Sequence, residues 1–208
     1  MNAPIVDARS LPVLPELADR VIRMALEDDM SMARVAGLIE KDQALTARIL
    51  SLANSSYYRR SRSIYTVRDA VVVIGFDAVR TVALGVSVLG MFPAAGSENL
   101  DIRAFWRHSM ACALFAQAMM EASDERCAAK AFCAGLFHDI GKLVLDRSLP
   151  EDYARVLQEA SSGTRPLYEV EKEVLGATHA EVGREVLAHW NLPRLYGDVA
   201  WGDHTTSP

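Results

Sequence analysis

Gly135-Leu136-Phe137-His138-Asp139-Ile140-Gly141-Lys142 is the stretch on which the reading of this chain turns. It sets an imidazole and a carboxylate side by side inside an otherwise apolar segment. Burying such a pair costs on the order of several kcal/mol unless each partner is satisfied. A shared metal ion is one solution, and His108, His179, His189 and His204 are the further imidazoles that could complete its shell. A local hydrogen bond without any metal is the other. At this level both stay open.

Around that stretch lie 208 residues, half of them apolar, enough to build a core without covalent staples. The net charge of −5 offers no general attraction to a phosphate backbone, so a broad nucleic-acid-binding face is not expected. Cys112, Cys127 and Cys133 form no CxxC pair and no disulfide framework; they read as reduced core residues of a cytoplasmic protein. Met1 to Ser10 lack the charged start and apolar run of a signal peptide. The apolar run from Val82 to Met91 is too short to cross a bilayer, so no membrane association is expected.

Apolar residues recur with a period of 3.6, which predicts an all-α fold. Leu17, Val21, Met24 and Ala25 mark a first helix opened by Pro15. Ser31 is the expected cap of a second, carrying Val35, Leu38 and Ile39, and Asp42 of a third, with Leu45, Ile49, Leu50 and Leu52. Thr66 and Asp69 suggest a capping box for Val67 to Ile74, closed by Gly75. Asp77 opens Ala78 to Met91. Phe92 to Leu100, with Pro93, Gly96 and Ser97, reads as a loop dividing an amino-terminal helical lobe, 11–92, from a carboxy-terminal lobe, 101–208, that holds every histidine. Asp101 caps a helix to about Ala122. One helix is expected from Glu125 to about Asp146, then Glu151 to Ser161, a turn at 162–166, and Leu167 to Leu175. Thr178 with Glu181 forms a second capping box for His179 to His189, and Pro193 opens the last helix.

Phe105, His108, Cys112, Phe115 and Met119 step by three and four, which places His108 on a buried stripe. Ala128, Phe132, Leu136 and Asp139 share one face of the next helix, with His138 about a quarter turn away. The capping box puts His179 in the first turn of its helix. Three imidazoles and a carboxylate from three helices suit Zn²⁺, Mn²⁺ or Fe²⁺.

The eight-residue stretch resembles the HDxGK signature of the HD superfamily of metal-dependent phosphohydrolases. Leu11-Pro12-Val13-Leu14-Pro15, the segment from Ile39 to Tyr57, Ala70 to Phe76, Thr178 to Gly183 and Trp190-Asn191-Leu192-Pro193 extend the resemblance to the HDOD (HD-related output domain) family, from about Leu11 to the end as a single domain. That resemblance implies a helical HD-like bundle, a pocket derived from a phosphohydrolase, and a role mostly in bacterial signalling. It also implies metal ligands at His108, His138, Asp139 and His179. Asp203 and His204 are weaker candidates, standing where relatives usually carry a His-His pair. The superfamily's closing aspartate would lie on a helix that this sequence does not include.

Lys142, four residues after His138, shares its face and could steady a phosphate oxygen as a catalytic residue, or simply cap the last turn in water. His189, beside Trp190 at a helix end, reads as structural. Asn54-Ser55 reads as a helix end bonded to nearby backbone, and Phe105, Trp106, Trp190 and Leu192 as core. Arg59, Arg60 and Arg62 near Tyr57, Tyr58 and Tyr65 form the basic and aromatic cluster of the chain, either a solvated loop or a surface for a partner or nucleotide. Two functions follow. One is a signalling module that binds a partner protein or a ligand such as a nucleotide without turnover, with a homodimer compatible with it. The other is a metal-dependent phosphohydrolase acting on a nucleotide or cyclic dinucleotide.

Overall fold

The structure is a computed structural model and describes residues 32–55, 63–76, 99–124 and 127–202, together with 16, 19, 20, 23, 79, 83, 86, 90 and 92. Among the described residues every regular element is a helix: α1 (Met32–Ile39), α2 (Gln43–Ala53), α3 (Val67–Ile74), α4 (Ile102–Ser123), α5 (Ala128–Phe137), α6 (Ile140–Ser148), α7 (Pro150–Ala160), α8 (Leu167–Leu175), α9 (His179–His189) and α10 (Arg194–Gly202). The all-α expectation holds. Ser31, Asp77, the pentapeptide 11–15, the cluster at 57–62, and Asp203 with His204 lie outside the described residues.

The expected caps at Asp42, Asp101 and Thr178 are present, and the capping box expected at Thr66 and Asp69 is half formed. Asp42 accepts from the Leu45 amide at the start of α2, and Asp101 from those of Arg103 and Ala104 at the start of α4. Thr66 accepts from the Asp69 amide, and Gly75, with φ of 87°, closes α3 in a conformation that favours glycine. Thr178 and Glu181 form a complete, reciprocal capping box on α9. Asn54 ends α2 and grips the chain ten residues on: its amide donates to the Ile64 carbonyl at 2.8 Å and its oxygen accepts from the Ile64 N–H at 2.8 Å.

Helices α1, α2 and α3 pack on one another. Farther along, α4 lies on α5, α5 on α10, α9 on both α6 and α10, and α8 between α7 and α9. Phe132, Phe137, Tyr153 and Tyr196 are the largest fully buried side chains described in that second group, and Phe137 meets Tyr196 edge to face at 6.0 Å. Asn99 ties the chain before α4 to α6, donating to the buried Asp146 carboxylate at 3.0 Å and to the Pro150 carbonyl at 2.9 Å.

Three expectations are corrected. The helix expected from Glu125 to Asp146 is two helices, broken at His138-Asp139, where the Lys142 amide bonds the Asp139 carbonyl in a tighter turn. The buried stripe of α4 is Phe105, Trp106, Ser109 and Ala113, while Phe115 and Met119 are largely exposed and so is His108. The cause is close packing by small residues: a Cβ on Gly135 of α5 would meet the Ala113 Cα at 2.7 Å, so α5 approaches α4 over its smallest side chains. Finally, only Cys133 is a core cysteine; Cys112 and Cys127 are half-buried, and none of the three forms a disulfide among the described residues.

Gly141 sets the second close approach. A Cβ there would run into the His179 carbonyl oxygen and meet the Gly183 nitrogen at 2.7 Å, both backbone atoms of α9 that cannot turn aside. Gly141→Ala is therefore expected to destabilise the fold by about 3 kcal/mol or more. Gly37→Ala, in helix α1 with nothing within 4 Å of the added carbon, should be neutral or stabilise by up to about 1 kcal/mol. Urea melts of the two variants against the parent check both.

Candidate metal centre

The two close approaches bring α4, α5, α6 and α9 together at one point. His108 comes from the middle of α4, His138 and Asp139 from the break between α5 and α6, and His179 from the first position of α9. Asp139 stands at the N-cap of α6, where a carboxylate ordinarily accepts from the helix amides. Here it makes no cap bond and turns into the cluster instead.

The structure thus brings together all four of His108, His138, Asp139 and His179. His108 Nε2 lies 3.2 Å from His138 Nε2 and 3.6 Å from Asp139 Oδ2; His138 Nε2 is 3.4 Å from the same oxygen, and His179 Nε2 is 3.6 Å from Oδ1. Ligands about 2.0–2.2 Å from one ion lie roughly 3.0–3.6 Å from each other by geometry. The separations match that spacing.

Two of the imidazoles have their free nitrogen fixed from behind. His138 Nδ1–H donates to the Gly135 carbonyl at 2.8 Å, leaving a lone pair on Nε2. His179 Nδ1–H donates to Glu171 Oε2 at 2.5 Å, a carboxylate–imidazole pair of the kind that orients metal-binding histidines. Asp139 is 2 % exposed, and its Oδ1 is buried without a hydrogen-bond partner among the described residues. A buried carboxylate oxygen facing imidazole nitrogens and left unpaired is a place for a cation. The donor set therefore fits a divalent transition metal.

Glu171, which sequence reasoning missed, is the hidden support of the site. It is fully buried on α8 and accepts from the His179 amide at 2.8 Å, from His179 Nδ1–H, and from the Tyr153 hydroxyl at 3.2 Å. Burial and the adjacent Glu171 charge both push the Tyr153 hydroxyl well above its ordinary pKa, keeping it a donor. The signal in the sequence was an acid between Val170 and Val174 on an otherwise apolar face.

Lys142 is drawn inward, its ammonium 2.7 Å from Asp139 Oδ2 and its side chain 20 % exposed. Burial opposes ionisation of Asp139, but the neighbouring His138, Lys142 and His179 outweigh it. They hold that carboxyl below its ordinary value. His108 is the open side, its ring 57 % exposed. Beside it Cys112 places Sγ 3.7 Å from His108 Nε2, so that His108, Cys112 and His138 also form a donor cluster. His189 is exposed at the end of α9, away from the buried cluster.

A family profile, that of the HDOD domain, matches residues 11–205. Among solved structures, an HDOD domain protein of unknown function from Geobacter sulfurreducens superposes with a TM-score of 0.84 at 28 % identity, over 98 % of this chain and 68 % of that one. A protein assigned as a phosphohydrolase from Shewanella amazonensis SB2B gives 0.79 at 26 %, over 95 % and 70 %. An uncharacterised protein of Treponema pallidum (strain Nichols) is 22 % identical over 184 residues; the match takes in 88 % of this chain and about a third, 35 %, of that relative.

Removing the support should show in stability. Glu171→Ala strands the His179 N–H groups and the Tyr153 hydroxyl in the core and is expected to cost about 3–5 kcal/mol, against about 1 kcal/mol for Tyr153→Phe. Because both act on one hydrogen bond, the double variant should cost about 0.5 kcal/mol or more less than the summed single losses, as a urea double-mutant cycle would read.

Proposed function

The chain belongs to the HDOD family, and from that premise we propose that it is a bacterial signalling module whose HD-derived pocket holds a divalent transition metal and acts through binding, without turnover. The observation that carries the metal part is the Asp139 carboxylate, whose Oδ1, unpaired among the described residues, faces His179 and whose Oδ2 faces His108 and His138, with His138 and His179 oriented by Gly135 and Glu171. When bound, the ion supplies positive charge that the carboxylate otherwise lacks on that side. His108, His138, Asp139 and His179 are the residues that would hold it.

The position of Lys142 supports binding over hydrolysis. A phosphohydrolase reading needs that ammonium free to meet a phosphate oxygen, and here it is committed to Asp139 at 2.7 Å. The module's output on this reading is a surface presented to a signalling protein, with the metal fixing how α4, α5, α6 and α9 sit together.

A second reading keeps the hydrolase. The exposure of His108 leaves the cluster open on one side, and Lys142 would then turn from Asp139 to a phosphate entering there. A bound ion there would supply Lewis acidity and an activated water.

Protein purified without chelator is expected to carry close to one equivalent of transition metal by elemental analysis, and Asp139→Asn to lose most of it. With Mn²⁺, Fe²⁺ or Zn²⁺ it should leave bis-(p-nitrophenyl) phosphate and cyclic dinucleotides intact. Turnover that disappears in His138→Ala would establish the hydrolase instead, and absence of metal under every loading condition would remove the pocket from both readings.

A further inference from the structure

His108 and Cys112 stand one turn apart on α4, so their side chains leave the helix on one face. Both face the break between α5 and α6. Cys112 Sγ lies 3.7 Å from His108 Nε2, and with the His138 donor the three atoms all fall within 4.8 Å of one another. For an ion about 2.3 Å from a thiolate and about 2.05 Å from an imidazole, tetrahedral geometry puts sulfur and nitrogen roughly 3.6 Å apart. The observed separation needs almost no adjustment. Cys112 is half-buried, and it sits at the open side of the cluster, where His108 is exposed.

We propose that Cys112 is a thiolate ligand of the ion held by His108 and His138, so that the open side of the metal centre is closed by sulfur. This rests on the metal-binding reading above and deepens it. Two consequences follow from the chemistry of the donors. A thiolate beside two imidazoles is a soft set, which favours Zn²⁺ over Mn²⁺ or Mg²⁺. And with His108, His138, Asp139 and His179 already supplied as donors, sulfur on the open side would take the position that an attacking water needs. The sulfur thus gives a chemical reason for binding without turnover.

The test uses the whole chain loaded with cobalt(II), whose thiolate complexes show a charge-transfer band in the near ultraviolet that imidazole and carboxylate complexes lack. The parent is expected to show that band. Cys112→Ser should abolish it while still binding cobalt through the nitrogen and oxygen donors, and Cys127→Ser, changing the other half-buried thiol, should leave it intact. In competition with a chromophoric chelator, Cys112→Ser should weaken zinc by about tenfold or more, on the scale by which a perturbed metal shell usually loses affinity, and leave manganese unchanged. Cobalt bound without the band, or zinc affinity equal in parent and Cys112→Ser, would overturn the role of Cys112 and leave the metal pocket standing. Failure of the parent to bind cobalt or zinc at all would overturn the pocket and the thiolate together.

Discussion

Asp139 is a carboxylate almost wholly removed from water, and compensating its charge is the constraint around which the carboxy-terminal helices are arranged. Taken alone, such a group would give up its ionisation to burial. Instead, Lys142 binds one oxygen and imidazoles flank both, while the second oxygen keeps a lone pair that no donor among the described residues reaches. Behind His179 the same problem recurs one layer deeper: Glu171, with no exposure, is satisfied by three donors from Tyr153 and His179. The result is an alternation of acid and base from Tyr153 to Lys142, hydrogen-bonded throughout except between His179 and Asp139 Oδ1, which stand 3.6 Å apart.

That chain exists because the backbone comes unusually close in two places. Gly135 lets α5 settle against the small face of α4, which carries His108 toward His138, and Gly141 lets α6 settle on the first turn of α9, which carries Asp139 toward His179. Between the two glycines the helix breaks, and the break re-aims two neighbouring side chains that a continuous helix would send about 100° apart. The capping box on α9 fixes where His179 begins. Local sequence rules, close packing and the charge network therefore act on the same few residues.

Much of this is legible in the sequence where one residue type determines one local outcome. Asp42, Thr66, Asp101 and Thr178 announce their helices because a short oxygen-bearing side chain before an apolar run has one good use. Adjacent His138 and Asp139 announce a site because their burial demands a partner. What could not be read is what depends on volume and distance. The face of α4 was misjudged because large apolar residues suggest the core, whereas the tight side of this helix is built on Ser109 and Ala113 and leaves Phe115 and Met119 outside. The helix break has no proline to mark it. Glu171 stands on an apolar stripe with Val170 and Val174, but its partners meet it only when the bundle closes, and the nearness of Cys112 to His138 depends on how α4 and α5 cross.

Membership of the HDOD family sets the frame, but whether this member's pocket acts through a metal depends on the unpaired oxygen of Asp139. The most direct measurement is an anomalous difference map, collected at the zinc absorption edge, from crystals of the whole chain grown with zinc. The account predicts a single strong peak within bonding distance of Asp139, His138 and His108, with Lys142 displaced or shared. No peak there, with Lys142 still seated on Asp139 and the imidazoles hydrogen-bonded to one another, would contradict it.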